Sequence, residues 1–495
     1  MKPKSVFFLA ILLTCIAAVG NCVDTRPVDT TQLFAWLTAG ISSSRLARLV
    51  QERGLATLPT PQELHSLQAA GAGKDLIRIL ASVRTNPAEV SNPRVTMDST
   101  NRIPPPVLSA SGLARQEHYH EAEIQLREAV KSDPENAALH FALGAILRQQ
   151  EQWDAAYDEV AESARLMPDF PENHSAFAYI FYRMDDGPNA IAEARTALSM
   201  DPKNAEGYQY LGLGLFSNGQ YAAAVHAFSE SLARDPDNPD TYYDMGIALH
   251  ADGKVPAAVA AYTRAIHLRP AYWEAHSNLA LILHEEDKLE NAAAEYQAAK
   301  RIAPDEASIR SNLANTYCDQ GKFDDAIAEL RELYRMHPEW QQGHACMASA
   351  YMARKDYDNA IAELQIALRQ NPTGSTEHRV LGQALLLDNR TEDALREFRL
   401  AVTLNPDSDK AHYYLGEALF QQQQLKAAEK EFREALRLNA SADNHFSLAA
   451  CLMSMDRYEE ALAELEVASR LAPERPLYRA RRDELLKILK GTRER

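Results

Sequence analysis

The sequence predicts an all-α solenoid of stacked helical hairpins preceded by a small four-helix N-terminal unit, and two observations carry that prediction. Prolines fall at Pro134, Pro168, Pro202, Pro236, Pro270, Pro304, Pro338, Pro372 and Pro406, each 34 residues after the last, and a fixed period of this length marks a stacked repeat. With each proline set at position 32, repeats begin at 103, 137, 171, 205, 239, 273, 307, 341, 375, 409 and 442. Large residues then recur at positions 4, 7, 11 and usually 24, and small ones at 8, 20 and usually 27. Positions 4, 7, 8 and 11 form one stripe of an amphipathic helix, and 20, 24 and 27 a similar stripe on a second helix, so each unit reads as helix, turn, helix.

The chain of 495 residues begins with MKPKSVFFLAILLTCIAAVGNC: two lysines, an apolar stretch from Val6 to Val19, then small residues. This is the pattern of a secretory signal with cleavage after Gly20, and the stretch is shorter than the ~20 residues that span a bilayer comfortably. Lipid attachment at Cys22 is a second reading, since Val19-Gly20-Asn21-Cys22 partly matches a lipobox, although Asn21 suits that position poorly. Both readings give export, to the periplasm or the outer membrane. Contact with a membrane is expected only through this N-terminus.

Residues 28–84 read as four short helices, with Gly40, Gly54 and Gly71 where C-caps fall. Thr60, Pro61 and Glu63 form the start of the third: a cap, a first-turn proline and the closing acid of a capping box. At an offset of 31, Leu33 pairs with Leu64, Trp36 with Leu67, Gly40 with Gly71, Leu46 with Ile77 and Leu49 with Leu80, which implies a duplicated hairpin. Residues 85–106 lose the apolar period and hold five prolines. They read as an extended linker separating two folding units.

The repeats follow. Their last proline slot but one holds Ala440, and a one-residue deletion places the final member at Pro473. The stretches HYYLGEALF and LKAAEKEFREAL (412–436), and YDMGIALH and VPAAVAAYTRAI (243–266), carry the whole pattern. In these residues the chain resembles tetratricopeptide-repeat proteins of the exported bacterial type, over eleven consecutive units from 103 to 474. Two units depart from the pattern, with Ala110 at a glycine position and Leu333 where a small residue is expected. The resemblance implies a right-handed α-α superhelix whose first helices line the concave side and contact extended peptides or partner helices. It also implies a non-enzymatic protein-binding scaffold in envelope assembly, secretion or pilus biogenesis.

Positions 2, 5, 9, 12 and 13 face away from the intra-repeat stripe at 100° per residue and supply the candidate groove. In the third to sixth repeats this face holds Tyr179, Tyr182, Phe216, Tyr243, His250 and His284, with Glu172, Glu206, Asp240 and Glu274 beside them at position 2. Tyr413, Phe420, Phe446 and Met453 form a second patch. Aromatics supply contact area and carboxylates supply direction, so the expected partner is a protein segment with basic or apolar side chains. The competing reading of the acids is structural, because position 2 lies in a first helical turn where the helix dipole favours a carboxylate regardless of any ligand. The lysine and asparagine arrangement of family members that clamp chaperone tails is missing: positions 5 and 9 read Gln209 with Leu213, Tyr243 with Ile247, and Ser277 with Leu281.

Histidine fills position 4 in seven units: His140, His174, His276, His344, His378, His412 and His445. Equivalent positions on neighbouring helices lie about 8–10 Å apart, whereas ligands sharing one zinc each lie about 2 Å from it. Packing, not metal binding, is expected, and no cofactor is called for. Cys318, Cys346 and Cys451 show no CxxC spacing and read as free buried cysteines packing as small apolar groups. The net charge of −17 argues against a generic nucleic-acid binder. No GxSxG, HExxH, P-loop or dinucleotide fingerprint supports an enzyme. SNLA at Asn278 and Asn312 resembles the repeat half of O-linked N-acetylglucosamine transferase, leaving as the alternative an accessory subunit of a glycosyltransferase-like or other envelope enzyme. Residues 475–495 read as one further helix, with Leu485, Ile488 and Leu489 on its packing side, capping the last repeat.

Overall fold

Residues 26–82, 103–340 and 342–493 are described by the computed structural model. The expected signal, Cys22 and most of the expected linker lie outside them. The described residues form 27 helices and no strand, with one isolated bridge between Val28 and Leu55. They divide into two units, Met1–Pro270 and Ala271–Arg495.

The first unit opens with α1 (Thr30–Thr38), α2 (Ser43–Arg53), α3 (Pro61–Ala69) and α4 (Lys74–Ser82). Asp29 starts α1 with a capping box to Gln32, and Thr60 starts α3 with the box to Glu63 that its sequence foretells. Gly40, Gly54 and Gly71 all have positive φ, as expected where a helix is stopped. Ser43 Oγ accepts from the Gly73 amide at 2.8 Å, tying the two hairpins together. Five repeats follow: α5 (Pro105–Arg115) with α6 (Tyr119–Ser132), α7 (Ala137–Gln149) with α8 (Trp153–Leu166), α9 (Pro171–Arg183) with α10 (Gly187–Met200), α11 (Ala205–Ser217) with α12 (Tyr221–Leu232), and α13 (Pro239–Ala251) with α14 (Val255–Leu268).

The N-terminal helices do not stand apart from the repeats. Helix α1 packs on α5 and α7, Trp36 stacks on Phe170 with ring centroids 5.1 Å apart, and one apolar core runs from Val28 to Ile180. The expectation of a separate folding unit is corrected for a physical reason. The nine-residue α1 presents Leu33, Phe34 and Trp36, too much apolar surface for two short hairpins, and the first repeats help to bury all three.

The second unit holds six repeats: α15 (Trp273–Glu285) with α16 (Leu289–Ile302), α17 (Ala307–Asp319) with α18 (Phe323–Met336), α19 (His344–Ala353) with α20 (Tyr357–Gln370), α21 (Ser375–Leu387) with α22 (Thr391–Leu404), α23 (Asp409–Gln421) with α24 (Leu425–Leu438), and α25 (Ala442–Met453) with α26 (Tyr458–Leu471). Helix α27 (Pro476–Arg493) packs on α26 and buries Leu485, covering the end of the array.

Within each repeat the sequence positions have the roles their sizes imply. A Cβ on Gly212, Gly246, Gly382 or Gly416 would lie 2.5–2.7 Å from the ring of Phe228, Tyr262, Phe398 or Phe432, so in these four repeats position 8 is empty opposite an aromatic position 24, while the sixth repeat packs Ala280 with Tyr296. Where position 8 is Ala314, Ala348 or Ala449, position 24 is the smaller Leu330, Leu364 or Leu465, all buried. Position 15, in the turn between the two helices, has positive φ in every repeat: glycine in three, and Glu117, Glu151, Asp185, Asp287, Lys355, Asn389, Gln423 and Asp456 in the rest.

Cys318 and Cys346 are not free. They form a disulfide between α17 and α19, with Cα atoms 6.2 Å apart. Sequence spacing gave no warning because the pair comes from positions 12 and 6 of consecutive repeats, which only the stacking of first helices brings together. Cys451 is free and fully buried, as expected, and burial pushes its thiol up to about 11.

Candidate functional site

All seven position-4 histidines have a partner that sequence reading missed. Each Nδ1 meets a glutamate 19 residues later, on the second helix of the same repeat: His140 with Glu159, His174 with Glu193, His276 with Glu295, His344 with Glu363, His378 with Glu397, His412 with Glu431 and His445 with Glu464, at 2.5–2.7 Å. In His140, His378 and His412 the other nitrogen meets the carbonyl of Pro134, Pro372 or Pro406 at 3.0–3.1 Å. The histidines therefore pack, and they also clamp the two helices of a hairpin.

The open face of the first unit is built on the first helices. Tyr179 of α9 is half-buried, with its ring 5.3 Å from Tyr210 of α11 and 6.2 Å from Tyr182. The Arg148 guanidinium lies over it at 5.1 Å, and Arg183 Nη1 donates to its hydroxyl at 3.2 Å. Farther along, Gln209 Nε2 donates to Asp244 Oδ2 at 2.8 Å, and the half-buried Tyr243 rests against Tyr262 at 5.9 Å. Phe216 packs on Tyr221 at 5.5 Å. His250 is half-buried in the last turn of α13.

Two carboxyls on this face keep accessible surface while protein crowds them. Burial pushes Glu206 up to about 7, against the field of Arg148 and with the help of Glu172 and Asp235. Asp244 is likewise pushed up to about 7 by burial, which the Gln209 hydrogen bond only partly offsets. A carboxyl in this state is poised to ionise when a cation arrives.

The expected acidic row of Glu172, Glu206, Asp240 and Glu274 is not a row of free carboxylates. Glu172 is buried and accepts from Arg45 Nε of α2 at 2.5 Å. Asp240 takes Arg269 in a bidentate pair, both contacts 2.8 Å. Glu274, in the first turn of α15, belongs to the second unit. So does His284, whose Nε2 meets Asp319 at 2.8 Å.

The second patch lies wholly in the second unit. Tyr413 sits edge-on to Tyr414 at 5.1 Å, Ser447 Oγ donates to Glu417 Oε1 at 3.0 Å, and burial raises the Glu417 carboxyl. Phe446 lies 4.7 Å from Tyr478 of α27. Phe420 and Met453 are half-buried against the same core.

A family model described as tetratricopeptide repeat matches residues 108–172, 243–307, 311–375, 346–409, 379–443 and 413–476, more than half of the chain. The chain belongs to the tetratricopeptide-repeat family. A second model, described as TPR repeat, matches 212–253. Similar solved structures include MamA from Desulfovibrio magneticus RS-1, 17% identical over 34% of this chain and 95% of that one, with a TM-score of 0.33. Yeast Tom70 is 13% identical over 78% and 94%, with a TM-score of 0.34. A tetratricopeptide-repeat protein from Parabacteroides merdae is 13% identical over 50% and 98%, with a TM-score of 0.41. No curated protein matches. The matched families are repeat scaffolds that bind proteins.

Within the tetratricopeptide frame, Tyr210, Asp244 and Tyr414 all occupy position 6, which the choice of 2, 5, 9, 12 and 13 left out. Position 6 lies only 100° from position 5, so it also reaches the open face. The signal was present as a polar or aromatic residue recurring there.

Proposed function

We propose that this chain is a non-enzymatic, exported scaffold whose open first-helix face takes an extended protein segment carrying lysine or arginine between apolar side chains. The observation that carries this reading is the track of half-buried tyrosines, Tyr179, Tyr182, Tyr210 and Tyr243, beside Glu206 and Asp244. Aromatic faces attract both apolar and cationic side chains, and a cation would hold both carboxyls ionised. Glu206 and Asp244 line this face more directly than Glu172 and Asp240, which arginines of the chain already engage. Tyr413, Phe420 and Glu417 offer a chemically similar surface within the second unit. Export is supported by the signal-like residues 1–22 and by the Cys318–Cys346 bond, since disulfides persist in oxidising compartments. The work expected there is envelope assembly, secretion or pilus biogenesis.

The test uses a labelled peptide of alternating lysine and leucine, about nine residues long, which at ~3.3 Å per residue crosses three helices set about 9–10 Å apart. Fluorescence anisotropy should register binding that weakens about tenfold or more, about 1.4 kcal/mol, in the combined Tyr179→Ala, Tyr182→Ala, Tyr243→Ala variant. A glutamate-for-lysine peptide should not bind. Equal binding of both peptides, or no loss in the variant, rejects the groove.

A further inference from the structure

The first-helix face of the second repeat, together with the start of α9 in the third, is already occupied. Positions 2, 5 and 9 of α7 are Ala138, Phe141 and Ala145, all buried, whereas the same positions of α13, Asp240, Tyr243 and Ile247, are half-exposed. What covers α7 is α1, which lays Leu33, Phe34 and Trp36 into the core shared with the repeats. Phe170 is the floor of that seat, stacked under Trp36 at 5.1 Å and edge-on to Phe141 at 5.5 Å.

A polar latch flanks the apolar anchor, and its charges are segregated by side. In the ion pairs described between them, the bases come from α2 and the acids from the repeats. Arg45 reaches Glu172 at 2.5 Å and Asp201 at 3.3 Å, Arg48 shares that Asp201 oxygen at 3.5 Å, and Arg53 meets Asp169 at 3.9 Å. Sorted charge of this kind is how two surfaces recognise each other. The fit is also incomplete, because the Trp36 indole N–H and Glu172 Oε2 are buried without a hydrogen-bond partner. Each such orphan weakens the docked state relative to a ligand that satisfies it.

We propose that this face is an exchangeable helix-binding site that the chain fills with its own α1 and α2. Its occupant in trans is an amphipathic helix presenting a leucine, phenylalanine and tryptophan face, followed by a basic helix that engages Glu172 and Asp201. The segment 28–56 is thus both the resident ligand and the template for the incoming one. Any partner helix that also donates to Glu172 Oε2 holds an advantage over the resident. The site adjoins the open tyrosine track, since Glu172 shares α9 with Tyr179, but its occupant is a helix and not the extended segment proposed for that track.

The experiment adds a labelled synthetic peptide with the sequence of residues 28–56 to the full chain and to its Trp36→Ala and Arg45→Glu variants. The wild type, whose seat is filled, should bind about tenfold or more weakly than Trp36→Ala. Excess unlabelled peptide should speed amide exchange in residues 30–38 of the wild-type chain as its own α1 is displaced. If Trp36→Ala fails to fold, Arg45→Glu, which alters only the latch, carries the same comparison. Peptide affinity that is equal in wild type and variants, or absent from all of them, overturns the proposal by showing a permanent wall. Neither result touches the lysine–leucine peptide measurement, so the two readings fail separately.

Discussion

At the scale of single residues, two positional rules make a hairpin: what glycine leaves empty, and what histidine ties. Gly212 is paired with Phe228, and the Cβ it lacks would fall 2.5 Å from that ring. Gly212→Ala should therefore cost about 1–3 kcal/mol by overpacking, read as a lower urea midpoint, while Ala348→Gly opposite the smaller Leu364 should be milder. The titrating groups predict a direction with pH. Burial opposes the charge on His140, but Glu159 and the Pro134 carbonyl accept from both ring nitrogens and hold its pKa above the ordinary value. Stability from this pair is complete below the unfolded histidine value and fades as pH rises through the folded one. Glu206 and Asp244 act in the same sense. Between the ordinary carboxyl range and about 7 the folded chain keeps protons that the unfolded chain has lost, so stability falls as pH rises. Thermal melts should show a higher midpoint at pH 6 than at pH 8, with Asp244→Asn removing part of the slope. Affinity for a cationic peptide should run the opposite way, rising with pH, because binding must expel those protons.

At the scale of elements, the array was legible because its period is covalent. Prolines at position 32 and small residues at 8 and 20 repeat in the chain whatever lies next to it, and the helices of 103–474 follow that period, apart from the late starts of α5 and α19. The site was less legible because it is assembled between elements. Glu172 reads as an open groove acid until Arg45, 127 residues earlier, is found on it, and Asp240 until Arg269 is. Cys318 and Cys346 are 28 residues apart, a distance with no meaning until α17 and α19 lie side by side. Their bond crosses the join of two repeats where α19 starts late, after Gly343 at φ 103°. Closing a loop of that size removes about 3–4 kcal/mol of chain entropy from the unfolded state. Reduction should lower the melting midpoint of the chain, and Cys318→Ser with Cys346→Ser should reproduce the reduced value and abolish its response to reductant. A midpoint indifferent to reductant would mean that the join is held by packing alone.

At the scale of the whole molecule, the N-terminal 22 residues and the cysteine pair make one joint prediction about where the chain matures. The proposed export rests on an apolar stretch behind two lysines, the pattern of a secretory signal, and on a disulfide of a kind that persists in oxidising compartments. The full chain expressed in a bacterium with an oxidising periplasm should be recovered with Cys318 and Cys346 unreactive to maleimide until reduced. Its mass should place the mature start after Gly20, or add a lipid at Cys22. A chain lacking residues 1–22 stays in the reducing cytosol, where both thiols should label without prior reduction and the melting midpoint should match that of the reduced full chain. Cys451 is an internal control, since a fully buried thiol with a raised pKa should stay unlabelled in both until the chain unfolds. Free thiols at 318 and 346 in the exported chain would separate the two halves of the argument, leaving the signal to be judged by the mass alone. An unprocessed N-terminus together with free thiols would remove the case for export and return the scaffold to the compartment in which it is made.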